Sequence, residues 1–430
     1  MVSDVSESET RKVRIDNSQF RSSRLLAYYC PWFMTNCVID LFSDEARRNP
    51  YPMYEQMRSA SPLFHTPPPF DMWMIFDYDG AKRELTDHET FSSAVPAPKN
   101  WFIFFDPPQH SKLRALIAKA FTPKSIADLE PRIRTLSREF LNKVIERGEM
   151  ELAADFAIPL PMTVIAEMIG IPSADWLRYK HWSDVILKLS YTMRGMEGDA
   201  EASTAISGFT AVTEEMEAYL GKMIEQRRAA PKDDLLTRLV EAEVGGERLT
   251  PSEILGFFQL LVVAGQETTT NLINNAVVCL IENPDQLVRL RATPDLLPSA
   301  IEEVLRYRSP LQWLMRTPKR DTEMHGHVIP AGQLVLAMVG SANRDPKQFR
   351  DAEKFDITRN PNPHIAFGHG IHSCLGAALA RMESRIALSE LLARLKSLEL
   401  ASDEPWQPRK ALHVHGPTHL LIRFQPAAAD

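Results

Sequence analysis

Apolar residues recur at helical spacing along most of the chain, and alternating runs are short and few. The period predicts helices over Pro50–Arg58, Ser125–Arg147, Pro161–Met168, Ser173–Leu189, Ala205–Arg228 and Asp233–Glu241, with helical fragments at Asp79–Leu85 and Glu89–Phe91. The longest apolar segment starts at Thr250-Pro251-Ser252-Glu253, a capping box with proline at the first helical position, and Asn283-Pro284 stops it. A helix of that length is roughly 48 Å long, enough to cross the whole molecule. Another opens at Pro298. Alternation predicts a hairpin of Leu63–His65 with Trp73–Phe76, turning at Pro67-Pro68-Pro69. Further strands are expected at Thr322–Gly326, at Leu334–Val339 after an Ile329–Gly332 turn, and near Leu398–Leu400, His413–His415 and His419–Phe424. The pattern as a whole predicts a mainly α protein with small β-sheets.

Several stretches break this regularity in ways that suit chemistry. In Phe367-Gly368-His369-Gly370-Ile371-His372-Ser373-Cys374-Leu375-Gly376 a glycine-rich loop delivers a cysteine to the start of a helical segment marked by Leu375, Leu379, Met382 and Ile386. Unpaired backbone N–H groups and the positive end of a helix dipole favour a thiolate there. Glycines at 368, 370 and 376 let the backbone pass close to something flat. A soft anionic sulfur beside bare backbone is what an axial ligand to haem iron needs. The local residues leave two other readings open, an inert buried thiol and a zinc set of His364, His369, His372 and Cys374. The latter lacks a second nearby cysteine.

The middle of the long helix reads Ala264-Gly265-Gln266-Glu267-Thr268-Thr269-Thr270, poor residues for a helix centre, where Gly265 alone costs about 1 kcal/mol. Such a violation inside a well-formed helix points to function. Ala264 and Gly265 would let a flat ligand lie against the helix, Thr268 could relay a proton, and Glu267 is a nearby acid. Asp106-Pro107-Pro108 predicts a capped helix start that puts His110 and Arg114 on one face, suited to a dianionic ligand. Glu303 and Arg306 are spaced to pair. The proline-interrupted loop Val95–Phe105 carries Trp101, Phe102, Phe104 and Phe105 and could line a pocket mouth, while polar Tyr191–Ser203 suits a mobile lid.

Composition narrows the class. A net charge of -7 argues against nucleic acid, and 44% hydrophobic residues allow a sizeable core. Four cysteines, at 30, 37, 279 and 374, form no disulfide framework, which favours a reducing, cytoplasmic setting. Uncharged Leu25–Ile39 loosely resembles a signal or anchor, yet Pro31, Thr35 and Asn36 interrupt it and its 15 residues are too few to span a bilayer. No linker divides the rest, so the expected organisation is an N-terminal extension, 1–38, and one catalytic domain, 39–430.

From about Ile39 to the end the chain resembles a cytochrome P450 of the soluble bacterial type. The likeness rests on four motifs in order: Asp106 to Arg114, Ala264 to Thr269, Glu303 to Arg306, and the complete Phe-Gly-x-Gly-x-His-x-Cys-x-Gly loop. The resemblance implies a haem b monooxygenase, with Cys374 as iron ligand and Phe367, Gly368 and Gly376 around it. His110, Arg114, Arg316 and His372 would hold the haem propionates; Ala264 and Gly265 would border the haem; Glu267 and Thr268 would deliver protons for O2 activation. Glu303 and Arg306 would brace the fold, with Lys354 or Arg359 as a third basic partner. Candidate pocket residues are Trp101, Phe102, Leu260, Leu261, Ala264, Leu311, Trp313, Leu314 and Thr418, whose character suits a hydrophobic small molecule. Electrons would come from NAD(P)H through a ferredoxin-type or flavodoxin-type partner and its reductase, docking near Lys112, Arg381 and Arg385. A monomer is expected. A peroxide-driven peroxygenase and a haem-binding sensor are the alternatives.

Overall fold

The computed structural model describes residues 43–427 apart from 67, 69, 95–99, 192–199 and 410. The expected N-terminal extension, the Leu25–Ile39 segment and the core of the expected lid therefore lie outside the described residues.

A helix over Pro251–Glu282 runs through the centre. Both halves of its capping box form: Glu253 N donates to Thr250 Oγ1 at 3.2 Å and Thr250 N donates to Glu253 Oε2 at 2.7 Å. From Ile254 to Leu280 it is buried on nearly every side, because the helices Pro159–Ile169, Trp176–Tyr191, Ala200–Ala229, Leu297–Tyr307 and Ala377–Arg394 all pack on it. Their inward residues form the main core, which includes Ile165, Trp182, Met216, Leu272, Ile301 and Ile386.

A five-stranded sheet stands to one side, in the order Leu63–Thr66, Met72–Ile75, Leu334–Ala337, Leu314–Pro318, Phe91–Ser92. The first two strands form the expected hairpin, with Leu63 opposite Ile75. Leu395–Leu400, Leu421–Pro426 and Glu149–Glu151 make a second sheet. Alternation along Leu314–Pro318 buries Arg316 and Pro318, so this strand aims Arg316 inward.

Three expectations need correction. Glu89–Phe91 is not helical: Thr90 N donates to Asp87 Oδ1, an Asx turn, and buried Phe91 then pairs with Pro318 as a strand. Ser125–Arg147 is three pieces, Pro123–Ala127, Glu130–Asn142 and a 3-10 turn at Ile145–Arg147. Thr122 and Ser125 cap the first reciprocally, and Pro131 sits at the start of the second. His413–His415 makes only one isolated bridge, Val414 to Leu311, not a strand.

Candidate active site

Gly368 and Gly370 adopt φ of +69° and +70°, which L side chains rarely tolerate. A Cβ on Gly370 would meet Leu85 O at 2.9 Å, so the loop presses against the end of the Tyr78–Thr86 helix. Cys374 N donates to Phe367 O at 2.8 Å and closes the loop. Backbone N–H groups of Gly376 and Ala377 then reach the Cys374 sulfur, as the helix-start position requires. Burial still pushes the thiol up, against those donors and the Arg114 and Arg381 guanidiniums. A coordinated cation removes that proton outright.

The loop has a brace that sequence reasoning missed. Glu302 accepts two hydrogen bonds from Arg381, at 2.7 and 2.8 Å, and lies 3.1 Å from His364 Nε2. Burial opposes its ionisation, yet Arg381 and His364 overcome it and hold the carboxyl down to about 2. Arg381 in turn covers the Phe367 ring at 4.4 Å. His364 is thus committed to a carboxylate, and among the described residues no group of His, Cys, Asp and Glu is placed to hold a metal ion by itself. The zinc reading falls.

His110 and His372 bring their rings to 3.9 Å, and none of their four nitrogens has a hydrogen-bond partner among the described residues, although all four are buried. Burial, then neighbouring Arg114 and Arg316, pushes His110 down to about 4. Burial, Arg316 and His110 push His372 down to about 3. Arg114 donates to Ser373 O at 2.7 Å and Arg316 to Met315 O at 2.7 Å. Two orphaned imidazoles between two guanidiniums form a site for carboxylates, and the paired propionates of haem fit it. Asp106 does not cap the Gln109–Ala120 helix as expected; its carboxylate accepts from Ser92 Oγ at 2.6 Å and Ser93 N at 2.9 Å, tying the helix start to the sheet.

On the central helix Ala264 is exposed and Leu261 and Thr268 are half-buried, although the segment around them is buried. Cys374, although its surroundings bury it deeply enough to raise the thiol, likewise keeps open surface. Open positions inside buried segments mark the walls of an internal slot, which suits a flat apolar group. Gly265 also serves packing: a Cβ there would lie 2.6 Å from Ile165 Cδ1, so that side chain would have to shift. Thr268 Oγ1 donates to Ala264 O at 2.6 Å, and Glu267, 4% exposed, has Arg409 Nη1 at 4.0 Å from its Oε1.

A family model described as Cytochrome P450 matches residues 71–421. The chain belongs to the cytochrome P450 family. Similar proteins include cytochrome P450 YjiB of Bacillus subtilis, 44% identical over 83% of this chain and 90% of that protein. The cytochrome P450 monooxygenase PikC of Streptomyces venezuelae is 36% identical over 90% of this chain and 94% of its own length. The crystal structure of CYP109E1 from Bacillus megaterium in complex with corticosterone superposes with a TM-score of 0.81 at 39% identity, covering 89% of this chain and all of that one. As a P450 monooxygenase the protein binds haem, receives electrons from redox partners and oxidises hydrophobic molecules. Bound haem would supply the oxygen-activating chemistry, which a thiolate ligand promotes.

In this P450 the Glu303–Arg306 pair is wholly buried, at 0% exposure for both. Arg306 spends all five N–H donors: two on Glu303 at 2.8 Å each, and one each on Asn343 O, Ala352 O and Lys354 O at 3.1, 2.7 and 3.0 Å. The third basic partner is Arg359, 3.1 Å from Glu303 Oε2, whereas Lys354 contributes only its carbonyl.

The candidate pocket residues divide. Trp101, Phe102 and Leu260 are buried in the main core, with Trp101 Nε1 donating to Gln259 Oε1 at 3.1 Å and Phe102 stacked on His110 at 5.9 Å. A 3-10 turn over Phe102–Phe104 thus packs beside the His110 imidazole. Leu261, Ala264, Leu311 and Leu314 are only partly covered. Thr418 donates to Pro408 O at 3.1 Å. Trp313 packs with Met315 and Leu334 in a cluster around Tyr51, Tyr54 and Phe76, apart from Leu314 and Arg316. On the surface, each cation expected to greet a redox partner has a carboxylate: Arg381 with Glu302, Arg385 with Glu130 at 2.9 Å, Lys112 with Glu247 at 2.6 Å.

Proposed function

We propose that this P450 hydroxylates a rigid, largely apolar molecule of steroid size. The observation that carries the reading is the character of the slot's walls: leucines at 261, 311 and 314, Ala264, and one hydroxyl, Thr268, already bonded to the backbone. Such a surface offers shape and apolar contact with little to recognise charge. The corticosterone complex of the CYP109E1 relative supports the size class. Within it, Cys374 is the iron ligand, and His110, Arg114, Arg316 and His372 hold the propionates. Glu267 and Thr268 handle the protons.

Electrons come from a ferredoxin-type or flavodoxin-type protein in the cytoplasm, and the enzyme acts as a monomer with one catalytic domain over 39–430. Because Lys112, Arg381 and Arg385 are already paired, the docking field is shared with carboxylates, and salt should weaken docking only moderately. Titration of the haem-loaded enzyme with corticosterone and with a long-chain fatty acid, followed by spin state and product mass, tests the substrate class. A spin shift and a hydroxylated product with the steroid alone support it; a response to the fatty acid alone contradicts it.

A further inference from the structure

The helix Tyr78–Thr86 carries a carboxylic acid into the protein interior. Its Tyr78, Ala81 and Leu85 enter an apolar cluster with Phe91, Val335 and Ala337, and helical spacing puts Glu84 on the same inward face. Glu84 is 1% exposed, and neither of its carboxyl oxygens has a hydrogen-bond partner among the described residues. A bare carboxylate in such a place is far less stable than the neutral acid. Neither the Glu267–Thr268 pair nor the Glu303–Arg306 brace gives this acid a use.

The elements packed on this helix narrow what faces the acid. Leu334–Ala337 and Val339–Ala342 bring no ionisable side chain. The strand Leu314–Pro318 brings Arg316, 8% exposed, and the turn Gly370–His372 brings His372. At the helix start Asp77 accepts from Gly80 N and pairs with His325, while Asp345 accepts from Tyr78 N. Along the helix Asp79 is exposed, Lys82 Nζ lies over the Tyr78 ring at 5.6 Å, and Arg83 donates to Glu323 O at 3.1 Å. The charge that acts on Glu84 is Arg316: burial pushes the carboxyl up to about 8, against the opposing pull of that guanidinium.

Arg316 also belongs to the carboxylate site beside the cysteine loop. His110 and His372, pushed down to about 4 and 3, are neutral at pH 7, so the cations there are Arg114 and Arg316, and two propionates balance them. A third carboxylate at Arg316 breaks that balance. Arg316 commits Nη1 to Met315 O, and a guanidinium has further N–H donors to turn to either side. We propose that Glu84 competes with a haem propionate for Arg316, so that one proton on Glu84 sets how firmly the cofactor is held. Protonated, Glu84 leaves the guanidinium to the propionate; ionised, it draws the guanidinium back toward its own helix. Loading the cofactor neutralises Arg316 and raises the Glu84 carboxyl further. The loaded protein therefore keeps this proton to a higher pH than the empty one, and haem affinity falls as pH rises past about 8. Glu84 is a positioning residue that acts through Arg316, and the inference rests on the assignment of Arg316 to a propionate.

Infrared spectroscopy of the haem-loaded protein and haem transfer to apomyoglobin test it. At pH 7 the wild type should show the carbonyl stretch of a protonated carboxylic acid that Glu84→Gln removes, while Glu383, pushed up to about 8 by burial, keeps its band in both proteins. Identical spectra mean that Glu84 is ionised at pH 7 and overturn the proposal. Transfer rates of wild type and Glu84→Gln should agree within about two-fold at pH 6.5, whereas at pH 9.5 the wild type should lose haem about ten-fold faster. Equal rates at both pH values overturn it. In an Arg316→Gln background, Glu84→Gln should leave the pH dependence unchanged; a persisting effect shows that Glu84 acts by another route and overturns it too. Should Glu84→Gln fail to load haem, Glu84→Met, which also lacks the proton, carries the same expectations. Arg316→Gln holding haem as firmly as wild type contradicts the propionate assignment instead. A loosened Arg316→Gln beside matching pH profiles of wild type and Glu84→Gln contradicts this inference alone.

Discussion

Arg306→Lys keeps the charge of the buried brace and removes its geometry. Arginine at this position satisfies five acceptors with five N–H donors, two to Glu303 and one to each of three carbonyls. Lysine has three donors, so at least two of the five acceptors lose this partner, and of the five only the Lys354 carbonyl belongs to an exposed residue. At least one buried acceptor is then left unsatisfied, at a cost of about 1–3 kcal/mol. Against a total stability of about 5–15 kcal/mol that is a large fraction. Arg359→Lys is the matched control: its side chain also reaches Glu303, Arg350 O, Asp351 O and Lys354 O, but three of those four contacts lie at the exposed rim, where water can replace them. Its loss should stay below about 1.5 kcal/mol. Urea unfolding of the haem-loaded proteins, followed by far-UV circular dichroism, reads both numbers. If Arg306→Lys unfolds within about 0.5 kcal/mol of wild type, the claim that the guanidinium fork is what the site requires is wrong.

Further outcomes follow from the same geometry. Gly370→Ala must adopt φ of +70° and place its Cβ 2.9 Å from a backbone oxygen, so the haem-to-protein ratio on purification should fall well below that of Gly376→Ala, whose Cβ meets only Cys374 Sγ at 3.9 Å. His110→Leu with His372→Leu removes the carboxylate site and should weaken haem retention at least ten-fold in transfer to apomyoglobin, with an equal rate refuting their role. Gly265→Ala gains about 1 kcal/mol of helix propensity but sets its Cβ 2.6 Å from the movable Ile165 Cδ1, so the net change should stay within about 1 kcal/mol, and Ile165→Val should make it more favourable; strict additivity in the double mutant would deny the contact. His415 is pushed down to about 3, chiefly by burial and then by Arg308 and Arg344. The unfolded chain therefore takes up the proton first, stability is complete above the ordinary imidazole value near 6.5, and it declines as pH falls towards 3. About 3 kcal/mol should go between pH 7 and pH 4, and His415→Gln should flatten that slope in urea midpoints measured across the range.

What could be read from the chain itself was what short-range patterning controls. The capping box at Thr250 and Glu253 formed as written, because a local signal meets no competitor at an exposed helix start. The hairpin and the helices near it followed for the same reason. At Gly265 in the central helix a Cβ would meet Ile165, a neighbour from a distant helix that no local pattern announces. Asp106 was drawn from a capping role by Ser92 and Ser93, partners that a strand brings in from outside its own helix. Arg409, His415 and the Glu302–His364–Arg381 brace had no local signal, because contacts across 62 to 367 positions of sequence are set by topology alone. Between Lys354 and Arg359 only the geometry could choose, and it chose the residue whose fork reaches the carboxylate.

The account depends most on the sulfur of Cys374 as the ligand that the glycine loop, Arg381 and the helix start are built to present. Carbon-monoxide difference spectra of the reduced, haem-loaded wild type and Cys374→Ser measure that directly. The expected result is the strongly red-shifted Soret band of a thiolate-bound haem in wild type and its complete loss in the serine variant. The same band in both proteins would contradict it.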